Sequence, residues 1–203
     1  FDAVANLTRQ EIDFGSESPT STEHGVRGAA ADGRLTADVS VFSAVRDDQQ
    51  IKVPLQLQRG DPASFLFVTA NAEDGVHRGL EASATFAATE RLAISASLGL
   101  LDAEIEEFSL FPDIEGREPA HAPEHTFALG AQYSTPSGWW GRIDITGMDD
   151  FFFDYGHDQR SRSYTLTNLR VGREWGPLSV SIWARNVLDE EYFVRGFFFG
   201  NEP

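Results

Sequence analysis

The feature that most constrains this chain is a period of two in its hydrophobic residues. In residues 35–46 the odd positions are mostly apolar, as at Leu35, Val39 and Val41, whereas the even positions are mainly polar or small. The alternation recurs in six further segments, which are residues 80–86, 92–100, 127–134, 139–146, 164–175 and 178–185. Successive side chains of a β-strand point to opposite faces, and helical spacing fits none of these segments as well. The pattern therefore predicts strands with one apolar and one polar face.

The connections between these segments alternate in length. Glycine-, proline- and polar-rich tight turns are indicated near residues 31–33, 88–91, 135–138 and 175–177. Longer polar connections lie at about 54–63, 108–123 and 154–162, and another begins at Val194. A Greek-key sandwich is not expected to keep this order, whereas an up-and-down outer-membrane barrel has short turns at one end and long loops at the other. We predict an all-β antiparallel meander of about ten strands, forming part of a larger transmembrane β-barrel.

Composition is consistent with this prediction and excludes other classes. A formal net charge of −16 argues against nucleic-acid binding, and the absence of cysteine excludes disulfides and thiolate metal sites. A hydrophobic content of 41% is too high for a disordered acidic chain. No apolar run approaches the 18 residues of a transmembrane helix, and residues 1–10 lack a signal-peptide pattern.

Aromatic residues fall into two bands along the predicted strands. One band, near the tight turns, contains Phe86, Tyr133, Trp139, Trp140 and Trp175, and the other, near the long connections, contains Phe65, Phe67, Phe108, Phe111, Phe151, Phe152, Phe153, Tyr155, Tyr192 and Phe193. Membrane barrels carry such girdles at both interfaces, although aromatic residues also favour strands in general.

Several runs of residues resemble one family. These are DGRLT at 32–36 with DDQQ at 47–50, NA at 71–72 with GLE at 79–81, LGLLDAE at 98–104, HAPEHTF at 121–127, and NLRVG at 168–172 with WARNVLDEEY at 183–192. In this order and spacing they resemble the C-terminal part of the barrel of TonB-dependent outer-membrane receptors of the siderophore-receptor type.

The resemblance implies a function for a longer protein. Residues 1–203 would be a partial barrel from which the plug domain and the closing strand are absent. The parent would be a bacterial outer-membrane transporter for ferric siderophores or similar nutrients, and not an enzyme. Its partners would be its own plug, outer-membrane lipid and lipopolysaccharide, and the TonB complex through the missing N-terminal region, without nucleic acid. No cofactor is expected, and a ferric siderophore would be the transported ligand.

The same interpretation assigns residues to the lumen and to a ligand-binding loop. Lumen-facing residues would include Thr36, Asp38, Ser40, Glu81, Ser83, Arg142 and Asp144. The candidate extracellular ligand-binding residues are Phe151, Phe152, Phe153, Tyr155, His157, Arg160 and Arg162. Aromatic rings could hold a flat siderophore while arginines meet an anionic chelate. Alternatively, the phenylalanines form the outer girdle and the arginines bind lipopolysaccharide phosphates or nothing.

Other candidate sites are weaker. Residues 102–124 carry eight acidic side chains and one arginine, which favours a solvated loop over a divalent-cation site because no EF-hand spacing is present. His121 and His125 are separated by Pro123, which argues against a helical metal pair. No Ser-His-Asp elbow, P-loop or dinucleotide fingerprint occurs, so neither catalytic nor metal residues are predicted. The alternative to a receptor is a soluble, secreted, carbohydrate-binding β-sandwich that uses tryptophans as sugar platforms, namely Trp139, Trp140 and Trp183.

Overall fold

The computed structural model describes residues 14–196, apart from residues 57, 59, 60, 62, 63 and 110. Eight strands are present in this part of the chain: β1 (Ser18–Ala30), β2 (Leu35–Gln56), β3 (Phe65–Ala87), β4 (Leu92–Glu107), β5 (His125–Ser134), β6 (Trp139–Met148), β7 (Tyr164–Trp175) and β8 (Leu178–Ala184). A short 3-10 turn, Pro112–Ile114, lies between β4 and β5. None of the described residues forms a helix long and apolar enough to cross a membrane.

The strands form one sheet in the order β1-β2-β3-β4-β5-β6-β7-β8, and each strand is antiparallel to its sequence neighbours. This confirms the predicted all-β meander, and the absence of a second sheet among the described strands makes the sandwich interpretation wrong. The expected number of about ten strands is also wrong. β2 and β3 are 22 and 23 residues long, so residues available for two further strands instead lengthen this hairpin.

Tight turns join the strands at one end of the sheet. Ala31 and Asp32 both have positive φ, and the amide of Gly33 donates to the carbonyl of Ala30 at 3.1 Å. Two central residues of positive φ match the twist of a β-hairpin. The two-residue loop between β7 and β8 likewise begins with Gly176, at φ 55°. We call this end of the sheet the short-turn end.

The opposite, long-loop end carries the longer connections. The predicted connections at 108–123 and 154–162 lie between β4 and β5 and between β6 and β7. The predicted connection at 54–63 begins too early, because β2 continues to Gln56. The side chain of Phe65 lies outside the described side chains, and residues 1–13 and 197–203, on which the expectations of a missing N-terminal region and closing strand rest, lie outside the described residues.

One face of the sheet is apolar and uncovered. Apolar residues pair with apolar residues from one strand to the next across all eight strands. One such row of cross-strand partners is Ala30, Leu35, Phe86, Ile94, Ala131, Ile143, Leu169 and Ala184. Ile182 is 75% exposed and Leu178 is 57% exposed. In a water-soluble sheet such a face would be covered, so its solvent must be apolar. We call this surface the apolar face.

The other face is polar and carries the predicted lumen residues. Thr36, Asp38 and Ser40 pair with Thr85, Ser83 and Glu81 across the β2–β3 ladder. The Ser83 hydroxyl donates to the Asp38 carboxylate at 2.9 Å. Farther along the sheet, the Arg142 Nε donates to Asp144 at 2.8 Å. Polar groups on this face therefore satisfy one another across and along the strands.

A hydrophobic core lies only at the long-loop end of the described structure. It consists of Ile51, Ala70, Ala72, Ile105, Phe108 and Ile114, with Phe111 and Tyr155 packed against it. Phe108 is fully buried, and its ring meets that of Phe111 edge to face at 5.1 Å. We call this cluster the loop-end core. The connection after β4 thus folds down onto the extended β2–β3 hairpin.

At Asp48, the odd-numbered side chains of β2 change from the exposed to the buried side of the strand. From Val39 to Asp47 the odd positions are exposed, whereas Gln49 and Ile51 are buried and Gln50 is exposed. Asp48 has φ 56°, a left-handed conformation that aspartate tolerates better than most residues. A single residue out of the pleat moves all following side chains to the opposite face. This reversal brings Ile51 into the loop-end core.

Candidate functional site at the long-loop end

The connection between β6 and β7 forms a small hairpin of its own. Phe152 and Arg160 form an isolated antiparallel bridge. The amide of Ser161 donates to the Phe151 carbonyl at 2.9 Å, and the amide of Phe151 donates to the Ser161 hydroxyl at 3.1 Å. The amide of Phe153 donates to the Gln159 carbonyl at 3.2 Å. The aromatic run and the arginines of the candidate ligand-binding loop therefore lie side by side.

The ring of Phe152 lies between two guanidinium groups. The Arg160 Cζ is 3.7 Å from the ring centroid, and the Arg117 Cζ is 3.9 Å from it. We call these three residues the Phe152 stack. Arg117 belongs to the β4–β5 connection and Arg160 to the β6–β7 connection. The stack therefore joins the two longest connections at the long-loop end. Each cation gains from the negative face of the ring.

Carboxylates surround both arginines of the stack. Arg160 binds Asp150 through Nη1 at 2.9 Å and Glu118 through Nη2 at 3.0 Å. The hydrogen bond from Arg160 holds the pKa of the Asp150 carboxyl below its usual range, and the same bond raises the pKa of Arg160. The Arg117 side chain is only 14% exposed, binds Asp158 at 2.9 Å and donates to the carbonyl of His157. Both positive charges of the stack are thus neutralised locally.

Two of the predicted aromatic residues serve packing. Phe151 is buried, and its ring contacts His121 at a centroid distance of 5.2 Å and Phe153 edge to face at 5.9 Å. Tyr155 lies against the loop-end core, and its burial raises the pKa of its hydroxyl. These contacts fix the position of the small hairpin above the sheet.

The two remaining candidates differ in their surroundings. His157 lies in a turn closed by Asp154, whose carboxylate accepts from the His157 amide at 2.9 Å and contacts the His157 Nδ1 at 2.9 Å. Arg162 is exposed and has no ion-pair or hydrogen-bond partner among the residues that the structure describes. The structure therefore brings Phe151, Phe152, Phe153 and Arg160 together, places Tyr155 beneath them, and leaves Arg162 in solvent.

The acidic side chains of residues 102–124 and the histidines His121 and His125 do not converge on one site, and the contacts that they make are separate. Glu115 accepts from the Phe108 amide at 3.0 Å, and Glu118 binds Arg160. His125 contacts Asp149 at 2.9 Å, whereas His121 packs on Phe151. Nowhere in the described ranges do three His, Asp or Glu side chains form a group that could hold a metal ion.

Arg117 was missed as a member of the site by reasoning from sequence. It is the single base within the acidic segment, and its ring partner Phe152 lies 35 positions farther along the chain. Its signal in the sequence was a lone positive charge among eight acids. Only the folding of the β4–β5 connection toward the small hairpin turns that charge into a stacking partner.

An up-and-down sheet with an uncovered apolar face, a polar face and long loops at one end defines the chain as an outer-membrane β-barrel protein. Residues 6–187 match the sequence model of the family described as TonB dependent receptor-like, beta-barrel. The chain belongs to this family of TonB-dependent receptor barrels. Its place is accordingly the outer membrane of a Gram-negative bacterium.

Solved structures share the fold. A copper transporter, OprC, matches 89% of this chain with a TM-score of 0.73 at 15% identity, and the match covers 27% of that protein. The ferric yersiniabactin uptake receptor of Yersinia pestis matches 91% with a TM-score of 0.72 at 18% identity, over 27% of its length. The ferric citrate transporter FecA matches 88% with a TM-score of 0.69 at 24% identity, over 28% of its length. The chain thus spans about a quarter of these proteins.

Membership in the family orients the sheet. In outer-membrane barrels the short turns are periplasmic, the long loops are extracellular, and the apolar band faces lipid. The apolar face therefore contacts lipid, the polar face lines the lumen, and the Phe152 stack and the loop-end core lie on the extracellular side.

Proposed function

We propose that this chain is part of an outer-membrane TonB-dependent transporter that takes up a ferric siderophore or a similar metal chelate. The observation that carries the proposal is the ordered extracellular structure built on the barrel, in which the Phe152 stack joins two long loops over the loop-end core. Names of structural neighbours support the ligand class, since they include uptake proteins for ferric yersiniabactin and ferric citrate.

Residues of the candidate loop would act in different ways. Arg162, exposed and without a partner in the described part of the chain, would meet an anionic chelate directly. Phe152, Phe153 and His157 would contribute the loop surface beside it. Phe151, Tyr155 and Arg160 would position that surface. Phe151 is buried against His121 and Phe153, Tyr155 packs on the loop-end core, and carboxylates bind Arg160.

The whole transporter would also require partners. A plug domain would fill the lumen against polar residues such as Asp38 and Arg142, and the TonB complex would supply energy through an N-terminal region. Outer-membrane lipid would cover the apolar face, and lipopolysaccharide would surround the extracellular end. Transport, rather than catalysis, is the activity proposed.

The alternative for the same loop is that its aromatic residues form the outer girdle and its arginines bind lipopolysaccharide phosphates. Arg162→Gln distinguishes the two. Under the ligand hypothesis this substitution weakens binding of an anionic ferric chelate to the purified full-length protein and leaves the amount of copurifying lipopolysaccharide unchanged. Under the alternative, the substitution lowers the amount of copurifying lipopolysaccharide and leaves chelate binding unchanged.

Uptake in cells tests the function. The full-length protein would be produced in a strain lacking its other iron receptors, with and without TonB, and uptake of radioactive iron would be followed from ferric citrate and from a ferric catecholate. Copper would be assayed in parallel because one structural neighbour is a copper transporter. TonB-dependent uptake of one of these supports the proposal. TonB-independent uptake, or no uptake of any metal or chelate, would overturn it.

A further inference from the structure

Arg173 places a positive charge on the lipid side of the sheet, near the periplasmic end. It pairs across the ladders with Trp139 of β6 and Val180 of β8, both on the apolar face. It lies two residues before Trp175, which ends β7 at the tight turn. Successive side chains alternate between faces, so Arg173 shares the apolar face with Val171 and Trp175.

Two tryptophans hold this guanidinium. The Arg173 Cζ is 5.1 Å from the Trp139 ring centroid and 4.6 Å from the Trp175 ring centroid. The Nε atom is buried and has no hydrogen-bond partner among the described residues. Its same-face and cross-strand neighbours, Trp139, Val171, Trp175 and Val180, carry no charge. Aromatic rings stabilise the cation but supply neither a counter-charge nor a hydrogen-bond acceptor.

An apolar hollow adjoins the arginine on the side toward the membrane centre. It has a volume of about 370 Å³ and is lined mainly by apolar residues, with Arg142 and Arg170 also at its wall. The apolar members are Leu92, Ala131, Tyr133, Gly141, Ile143, Leu169 and Val171. Gly141 leaves the hollow open, because a Cβ placed there would meet no atom within 4 Å. Gly141 lies two residues from Trp139, and Val171 lies two residues from Arg173, on the same strand faces. The hollow therefore begins about 7 Å from the Arg173 guanidinium and its two tryptophans.

We propose that Arg173, Trp139 and Trp175 bind the phosphate of a diacyl glycerophospholipid in the periplasmic leaflet, with one acyl chain in the hollow over Gly141. The order of the two features matches such a lipid, since the charged group lies at the tight-turn end and the apolar hollow lies deeper. An arginine at a membrane interface gains from an anionic headgroup, and tryptophans favour the same depth. The site is separate from the extracellular loops and does not depend on what the receptor transports.

Native mass spectrometry of the purified full-length receptor tests this proposal, with phosphatidylglycerol as the probe. Arg173→Gln is expected to lower phosphatidylglycerol affinity by about tenfold, the scale of one charge-assisted hydrogen bond. Arg185→Gln is the matched control, because the Arg185 Cζ also lies close to a tryptophan, 4.9 Å from the Trp183 ring centroid, but Arg185 does not line the hollow. This control is expected to bind the lipid as the wild type does.

Further variants and probes distinguish the chemistry. Arg173→Lys retains the charge and is expected to stay within about threefold of the wild type, whereas Gly141→Leu fills the hollow and is expected to weaken binding. Dioleoylglycerol, which lacks phosphate, and inorganic phosphate, which lacks acyl chains, are both expected to bind far more weakly than phosphatidylglycerol. Heat-dependent gel mobility verifies the fold of each variant, and if Arg173→Gln does not fold, the other two variants decide.

The proposal is overturned if Arg173→Gln and Arg185→Gln reduce lipid binding equally, or if neither reduces it. It is also overturned if dioleoylglycerol binds as tightly as phosphatidylglycerol, which would indicate adhesion to the apolar face without headgroup recognition. Binding of inorganic phosphate alone at equal strength would reduce the site to an anion site and refute the lipid assignment.

Discussion

Replacing Phe152 with leucine should release the two extracellular loops from each other. The substitution keeps an apolar side chain of similar size but removes the ring that lies 3.7 Å and 3.9 Å from the two guanidinium groups. Each stack at a half-buried site is worth about 1 kcal/mol, so the loss is about 2 kcal/mol for the pair. Since 1.4 kcal/mol is a factor of ten, local opening should become about 30-fold more frequent.

Amide hydrogen exchange of the full-length protein measures this opening. The reporter amides are those of His121, Phe153 and Ser161, which donate to the carbonyls of Phe152, Gln159 and Phe151 and depend on the small hairpin. Their exchange should accelerate by about 30-fold, while amides in the middle of β5 and β6 should not change. This pattern would locate the effect in the loops and not in the barrel.

Phe193→Leu is the control, because Phe193 is 63% exposed and forms no part of the stack. If Phe152→Leu changes the reporter amides by less than threefold, or if the control changes them equally, the ring does not join the loops. Phe152→Trp should protect the same amides at least as well as the wild type, because indole is the strongest aromatic partner for a cation.

Three further outcomes follow from the same structure. Acidification should loosen the small hairpin only below about pH 4, because Arg160 lowers the pKa of Asp150, and the stability that a lowered carboxyl pKa gives is lost as pH falls through it. Limited proteolysis at pH 7, 5 and 3 tests this, and Asp150→Asn should weaken the dependence without abolishing it, because Glu118 still binds Arg160. Phe108→Ala should destabilise the loop-end core by about 3–5 kcal/mol and expose residues 108–116 to protease, while heat-dependent gel mobility of the barrel stays unchanged. Gly172→Ala should lower thermal stability by about 1–3 kcal/mol because its Cβ would collide with an indole ring, whereas Gly141→Ala should be neutral in the same melting assay; equal effects would contradict this.

The strand pattern could be predicted from sequence because the membrane makes it simple. In β4 the residues Leu92, Ile94 and Leu98 face lipid and Ser95 and Ser97 face the lumen, as the alternation of the chain requires. A lipid-facing side chain must be apolar whatever its neighbours are, so each strand carries its own signal. The strands can therefore be predicted from local sequence, without knowledge of long-range contacts.

The loop structure could not be predicted in the same way. Phe152 was recognised as a candidate, but its partner Arg117 was not, since stacking depends on how two connections fold and not on local spacing. Arg160 was expected to face an anionic ligand, and its two carboxylate partners lie 10 and 42 positions away in the chain. Whether a charge is free or neutralised is a property of the tertiary structure.

The left-handed Asp48 has a consequence for mutational scanning of β2. Below it, an introduced charge should be harmful at odd positions such as Val39 and Val41, which face lipid, and tolerated at even positions. Above it, the buried Ile51 should reject charge, while the exposed Gln50 and Lys52 should accept it. Tolerance along this one strand therefore keeps its phase, with odd positions sensitive to charge on both sides of Asp48, although the cause changes from contact with lipid to burial in the loop-end core.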